Sequence, residues 1–292
     1  MTWTVPSPAK INRFLHITGR REDGYHLLQT GFQFLSVGDT LTFTPNETGV
    51  VTLSGMPEVS DNLIIKAAEA LKPFAHPHCG AHIHIQKRIP IGAGLGGGSS
   101  NAATTLLVLN TLWSLALSSS ELHRIGLTLG ADVPIFIFGH SGIAEGIGEK
   151  LTSYFPPQSA YLVLLPPVPV MTGAVYQVPE LVRNHPILPL ETLQQDEVLG
   201  NAFEPIVRRH FPAVEEAFGW LSSFGTPKLS GSGSAVFLSC KTLDKAADLL
   251  AQCPPHWSGF VAEGRNESPL FKTLCFLTKS ASQLGCRQAV RH

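Results

Sequence analysis

The stretch from Pro90 to Asn101, Pro-Ile-Gly-Ala-Gly-Leu-Gly-Gly-Gly-Ser-Ser-Asn, constrains this chain more than any other. Gly92, Gly94, Gly96, Gly97 and Gly98 crowd a short segment, Ser99 and Ser100 follow, and Ala102 to Ala116 reads as a long helix with an apolar face. A glycine-rich turn that opens a helix is a ready anion site. Its first-turn N–H groups lack intrahelical partners, and the positive end of the helix dipole lies there. Glycine also lets backbone approach phosphate oxygens without a Cβ in the way. Ser99 or Ser100 is placed to cap the helix and still offer a hydroxyl. The segment therefore predicts a nucleotide phosphate loop, with Pro90, Ala93 and Leu95 completing its backbone. A Walker A loop is ruled out, because the last glycine is followed by Ser99 where that motif needs lysine. Gly92-x-Gly94-x-x-Gly97 matches the dinucleotide fingerprint, which expects an acid about 20 residues on. Leu115 to Ser120 holds none, and Glu121 reads as a capping residue. An ordinary connection with no ligand would spend too much backbone entropy on so many glycines.

The 292 residues suit one large or two medium domains with a sizeable core. A formal net charge of −1 gives no field for nucleic acid or an anionic membrane. Cys79, Cys240, Cys253, Cys275 and Cys286 are scattered and never Cys-x-x-Cys, which fits a reducing compartment. Met-Thr-Trp-Thr-Val-Pro has no basic region leading into an apolar run, so no signal or transit peptide is read and the expected location is cytoplasmic. The apolar run Ala160 to Met171 is cut by Pro166, Pro167 and Pro169 and is too short to span a bilayer.

Along the chain, Lys10 to Thr18 reads as a strand in which Arg13 falls among the apolar set, a local conflict. Gly19 to His26 is a charged loop. Phe32 to Thr44 reads as strands around a Gly38-Asp39 turn, and Asp61-Asn62 as the cap of a helix. Ala81 to Ile89 is a strand feeding the glycine loop. His76, His78, Cys79, His82 and His84 crowd together without a zinc spacing, so a solvated hairpin with histidines on its wet face is the simpler reading. Ser118-x-x-Glu121 is a capping box. Asp132, in Gly-Ala-Asp-Val-Pro, either projects from a junction or satisfies a turn; Ile135 to Phe138 then reads as strand. Pro156-Pro157-Gln158 marks a boundary between residues 1–155 and 156–292. The second unit has a strand Tyr161 to Leu165, helices near Thr172 to Gln177, Leu190 to His210 and Pro212 to Ser223, a second glycine-serine loop at Lys228 to Ser234, then a strand, a helix and a strand, an α+β pattern.

Pro8-Ala9-Lys10-Ile11-Asn12, the Pro90 to Ala103 loop and Leu229 to Ala235 together resemble the three motifs of the GHMP kinases, whose phosphate loop is of this lysine-free kind. Gly19-Arg20-Arg21, Asp23-Gly24-Tyr25-His26, Asp61-Asn62-Leu63, Gly130 to Pro134, Gly264-Arg265-Asn266 and Ser268-Pro269-Leu270 look like the branch of that family whose acceptor is a cytidylated methylerythritol. The resemblance runs from about Pro8 to Leu270. It implies a two-domain α+β GHMP fold, with an N-terminal half like ribosomal protein S5 domain 2 and a ferredoxin-like C-terminal half. Departures are Arg13 for an apolar residue, Ala202 for aspartate, Met171-Thr172-Gly173 for a Ser-Thr-Ala-like segment, and Ile147 in a variable glycine-rich turn. A homoserine or mevalonate-type kinase of the same family is the rival reading, and Gly24-Tyr25-His26 speaks against it.

The resemblance implies ATP-dependent phosphoryl transfer to the 2-hydroxyl of the methylerythritol moiety, in isoprenoid precursor synthesis by the non-mevalonate route. Such chemistry rests on in-line positioning and charge neutralisation. It assigns Asp132 as base and Lys10 as its cationic partner. Gly94 to Ser100 would cradle phosphates, with Mg²⁺ at a ligand set the sequence leaves open between Ser99 and Ser100. Asn62 and Lys87 would line the adenine end, a surface-reaching strand-end charge being the alternative for Lys87. Tyr25 and Tyr176 would stack on cytosine and His26 read its edge, although Tyr176 also suits a core. Asn12 and Thr172 would hold the polar remainder, and Gly231, Ser232 and Gly233 would support the phosphate loop. The implied partner is a small molecule carrying a cytidine diphosphate, with no obligate protein partner.

Overall fold

The computed structural model describes residues 2–57 and 61–289, with 280–289 given as backbone only. Cys286 therefore lies outside the described side chains, while Cys79, Cys240, Cys253 and Cys275 are free thiols. The elements in chain order are β1 (Trp3–Arg20), β2 (His26–Asn46), β3 (Val51–Ser54), α1 (Leu63–Leu71), β4 (Gly80–Gln86), α2 (Gly97–Leu112), α3 (Ser119–Leu129), α4 (Val133–Phe138), β5 (Gly142–Gly146), β6 (Lys150–Ser153), β7 (Ala160–Leu165) and α5 (Thr172–Gln177). They continue with α6 (Leu190–Leu193), α7 (Glu204–His210), α8 (Pro212–Ser222), β8 (Lys228–Leu229), β9 (Val236–Cys240), α9 (Leu243–Ala251), β10 (Ser258–Arg265) and α10 (Pro269–Ala289).

Among the described residues the strands join in one sheet, ordered β3-β4-β2-β10-β7-β9-β8, with β1 also on β2 and the β5–β6 pair on the start of β2. One core lies under α1 to α4 and includes Phe32, Phe34, Ile83 and Leu106. A second lies around β7 and β9 with α7 to α9 and includes Leu162, Phe218 and Leu238. β1 serves both. Trp3 and Val5 enter the first core, while Leu15 and Ile17 enter the second.

Several sequence expectations are corrected. β2 runs through Gly38 and Asp39 without a turn. A Cβ on Gly38 would lie 2.2 Å from the Ser7 carbonyl, so this glycine serves close strand approach. The buried Asp39 accepts from Arg88 N at 2.7 Å and Ile89 N at 2.9 Å instead of closing a turn. The apolar run 135–138 is helix, not strand. Four apolar residues carry no period of their own, and Pro134 at the first turn with Gly139 as the left-handed cap brackets a helix. The segment 190–210 is two short helices around an irregular stretch that carries Asp196 and Asn201. His82 and His84 do stand on the wet face of β4, bonded to Thr52 and Ser54, but β3 runs parallel to β4, so the unit is no hairpin. The Ser118–Glu121 capping box forms as read.

The conflict at Arg13 resolves as a bulge. Asn12 faces Phe32 and Phe14 faces Gly31, which leaves Arg13 as the extra residue. Its side chain turns inward to a fork on Asp196, with one contact at 2.8 Å, and to the Tyr161 hydroxyl.

Candidate active site

A cleft of about 520 Å³ opens where β1, the glycine loop, α5 and the Ser230–Ser232 turn converge. Its floor is the start of α2. The helix begins at Gly97, not at Ala102, with Gly96 as cap at φ 69° and no side-chain cap bond. Ser99 and Ser100 thus sit in the first turn, and neither caps it. Gly97, Gly98 and Ser99 line the cleft, so the N–H groups that a first turn cannot satisfy internally belong to its wall. Helical phase turns Ser100 away: it is fully buried, 2.9 Å from the Ser7 hydroxyl, and it is not in the lining.

The loop is held from both sides. Lys10 N donates to Leu95 O at 3.0 Å, and Ala235 N to Ala93 O at 3.1 Å. Ser230 Oγ donates to Gly94 O at 2.8 Å. Gly94, at φ 74°, lies so close to the second glycine-serine loop that a Cβ would stand 2.0 Å from Ser230 O. Only glycine fits this contact.

Lys10 is buried, and its ammonium stands 3.2 Å from an Asp132 carboxylate oxygen that is half open to the cleft. The same ammonium donates to Asn12 Oδ1. Asn12 Nδ2 donates to Thr30 Oγ1 at 2.9 Å, and Thr30 donates onward to Phe14 O at 2.6 Å, across the bulge. Asp132 itself sits at the cap position of α4, aimed by the Gly130 to Pro134 junction. A cation, an amide and a carboxylate therefore converge beside the phosphate-type loop. Lys87 pairs with Asp39 and lies by Gly97, its ammonium 3.1 Å from where a Cβ there would be, so it stands over the helix start. Asn62 accepts from Ile64 N at 2.9 Å as the α1 cap and still reaches the lining.

At the far end Tyr176 lines the cleft, and Thr172 Oγ1 lies 2.7 Å from Ser232 Oγ. Burial, with Asp132 nearby, pushes the Tyr176 phenol above its usual range. The His26 ring stacks on Tyr176 at 4.4 Å, and its buried Nε2 has no hydrogen-bond partner among the described residues. Burial, then the charges of Arg183 and Arg20, lower its basicity. Tyr25 is 60% exposed on its loop, and neither it, His26 nor Gly233 lines the cleft. Gly233 packs on Leu229 and Val207 instead.

Sequence reasoning missed Thr30, Phe203 and Ser230. Phe203 meets Tyr176 edge-on at 4.9 Å. Ser230 lay inside a recognised motif, but nothing in the sequence joins Phe203 or Thr30 to the site.

The chain matches the GHMP kinases N terminal domain over residues 62–140 and the GHMP kinases C terminal domain over residues 178–258. It is 48% identical over 269 residues to the 4-diphosphocytidyl-2-C-methyl-D-erythritol kinase of Shewanella frigidimarina, covering 91% of this chain and 92% of that one. Identity to the protein of that name from Marinobacter nauticus is 47% over 278 residues, covering 93% and 97%. A crystal structure of 4-(cytidine 5'-diphospho)-2C-methyl-D-erythritol kinase superposes with a TM-score of 0.76 at 34% identity, covering 90% of this chain and 99% of the other. The mixed α+β architecture, the lysine-free glycine loop and identities of this size over nearly the whole length place the chain in the 4-diphosphocytidyl-2-C-methyl-D-erythritol kinase family of the GHMP kinases.

Proposed function

We propose that the protein transfers the γ-phosphoryl group of ATP to the 2-hydroxyl of 4-diphosphocytidyl-2-C-methyl-D-erythritol, in the cytoplasm, as a step of the non-mevalonate route to isoprenoid precursors. The observation that carries this reading is the Lys10–Asp132 pair, 3.2 Å apart, in the same cleft as the open first turn of α2. The acceptor oxygen attacks the γ-phosphorus, the bond to the β,γ-bridging oxygen breaks, and the hydroxyl proton passes to the Asp132 carboxylate. Lys10 neutralises charge on the acceptor oxygen and the phosphoryl group. Asn12, fixed by Lys10 and Thr30, orients the erythritol. The backbone from Gly94 to Ser99 cradles the triphosphate, Lys87 adds charge beside it, and Asn62 borders the nucleoside.

Mg²⁺ fits this cleft only as an ion carried with the phosphates. Among the described residues no group of three His, Cys, Asp or Glu is placed to hold a metal. That suits an ion bound through substrate phosphates and one or two protein oxygens, with the Ser99 hydroxyl, which lines the cleft, available to it, where it would neutralise phosphate charge. Tyr176 supplies the cytosine end of the cleft with His26 stacked on it, and Tyr25 would join them only by a move of its exposed loop. For the base to stack on Tyr176, His26 must leave its present stacked position and offer its ring edge. The division into 1–155 and 156–292 is part of the same proposal, with the cleft between them.

The test is turnover. Purified protein should release ADP with the cytidylated acceptor and not with homoserine or mevalonate. Asp132→Asn should lower kcat by about 10²- to 10⁴-fold with ATP binding kept, the range expected for a positioned base. Wild-type protein that binds ATP and leaves the cytidylated acceptor unphosphorylated would overturn the reading.

A further inference from the structure

We infer that Arg183 is a positioning residue for the acceptor's base: its guanidinium clamps the end of α5 so that the Tyr176 ring faces the cleft. The inference rests on the acceptor reading above and names a group that reading does not use.

α5 is six residues long, from Thr172 to Gln177. A helix that short is not stable by itself, and its last carbonyls lack intrahelical partners. The chain beyond it, 178–189, is neither helix nor strand. Arg183 supplies what both segments lack. Its Nη2 donates to Tyr176 O at 2.8 Å and to Val178 O at 2.8 Å, and its Nη1 donates to Leu181 O at 2.9 Å. One planar fork thus reaches three carbonyls, two of them at the negative end of α5, of which Val178 O also accepts from Leu181 N at 3.2 Å.

The strap is tied down farther along. His185 N donates to Ile17 O at 2.9 Å. Leu188 N donates to Gln29 Oε1 at 2.9 Å, and Gln29 Nε2 returns a bond to Leu188 O at 3.0 Å. At the other end of α5, Thr172 meets Ser232. Tyr176 sits between these anchors, stacked on His26 and edge-on to Phe203. The Tyr176 carbonyl bonded to Arg183 belongs to the residue whose ring is to meet the base. A shift of that carbonyl moves the ring.

Arg183 is half-buried, and the carbonyls it holds belong to the short helix and the strap, not to the sheet. Its loss should therefore move the acceptor end of the cleft and leave the phosphate end, built on β1 and α2, in place.

The experiment is steady-state kinetics on wild type, Arg183→Met, Arg183→Lys, Tyr176→Ala and the Arg183→Met/Tyr176→Ala double variant. Loss of one stacking face corresponds to about a 5- to 150-fold change in affinity. Arg183→Met should raise KM for the cytidylated acceptor about tenfold, inside that range, while kcat and KM for ATP stay within about twofold. Arg183→Lys should lie between, because an ammonium lacks the planar fork. In the double variant, Arg183→Met should add little to Tyr176→Ala, since both act through one ring. Several results would overturn the inference: an unchanged acceptor KM in Arg183→Met, an equal rise in KM for ATP, or additive effects in the double variant. An Arg183→Met protein that fails to fold would make the residue structural, and an Arg183→Lys protein matching wild type would remove the need for the fork. Failure of wild type to phosphorylate the cytidylated acceptor would instead sink the function proposed above.

Discussion

Arg13 is the residue where strand alternation and structure part. Read at period two, it joins Ile11, Leu15 and Ile17 on an apolar face, and a charge there makes no sense. The bulge between Asn12 and Phe14 supplies the missing step, and a bulge has no signal in alternation. Asp196, its partner, is fully buried in the irregular stretch between α6 and α7. Burial alone would weaken the guanidinium's hold on its proton, but the bond to Asp196, with the pull of Tyr161, Asp196 and Tyr154 added, outweighs this and raises Arg13 above its usual value. Lys228 donates to the carbonyls of both Arg13 and Asp196, at 3.0 and 2.7 Å, and so ties the pair to the short strand β8 that leads into the Ser230–Ser232 turn. Arg13→Leu should cost about 3–5 kcal/mol, because it strands a buried carboxylate. Arg13→Leu with Asp196→Leu should cost much less, since removing both charges leaves none unpaired. Urea unfolding of the three proteins decides it. A loss below about 1 kcal/mol in the single variant would mean that Asp196 finds water or another cation. By contrast, Lys10, Asn12 and Asp132 drew attention only as a set: by itself Asp132 also suits a turn, and it was the family motifs around all three, not any one residue, that pointed to a shared site.

The glycine loop and α2 show what an element's sequence leaves open. A glycine-rich turn opening a helix predicts an anion site, but it does not fix the phase of that helix. Expecting the helix at Ala102 left Ser99 and Ser100 as equivalent loop hydroxyls. Starting it at Gly97 sends Ser99 to the cleft and Ser100 to the buried Ser7. What fixes the loop is also remote in sequence. Gly94 leans on the Ser230 carbonyl, and Asn201 donates to Leu229 O at 2.9 Å and Gly231 O at 2.8 Å, which braces that turn in place. Gly94→Ala should therefore fold and yet displace the loop, since the added Cβ meets backbone and the φ is left-handed. A displacement near 1 Å corresponds to about a 100-fold loss in kcat/KM. The loss should appear with ATP as the varied substrate, with KM for the acceptor changed little. A near-normal ATP profile would show that the two glycine loops separate without consequence, against the contact seen here.

At the scale of the whole molecule, the site depends on β1 more than a boundary near Pro156 would suggest. That strand contributes Trp3 and Val5 to the core under α1 to α4, and Ala9 and Ile11 to a cluster with Tyr161 and Phe237. Leu15 and Ile17 then enter the core around β7 and β9. β10 closes the arrangement, pairing with β7 along most of its length and with β2 at Gly264 and Arg265. A polar path runs alongside: Tyr161 donates to Gln33 Oε1 at 2.7 Å, Gln33 Nε2 to Asn266 Oδ1 at 2.8 Å, and Asn266 Nδ2 to Pro156 O at 2.9 Å. The Gly264-Arg265-Asn266 motif is thus a joint between the cores and not part of the cleft. Two cores that share one strand should not unfold separately. Thermal unfolding should give a single transition by both tryptophan fluorescence, from Trp3, Trp113, Trp220 and Trp257, and far-ultraviolet dichroism. A nonhydrolysable ATP analogue at a hundredfold excess over its Kd should stabilise that whole transition by about 2.7 kcal/mol. Two transitions, with the analogue raising only one, would mean that β1 belongs energetically to one core and merely lies against the other. In that case Lys10 and Asn12, which sit on β1 where it passes between the cores, would owe their placement to a docked surface and not to a continuous one.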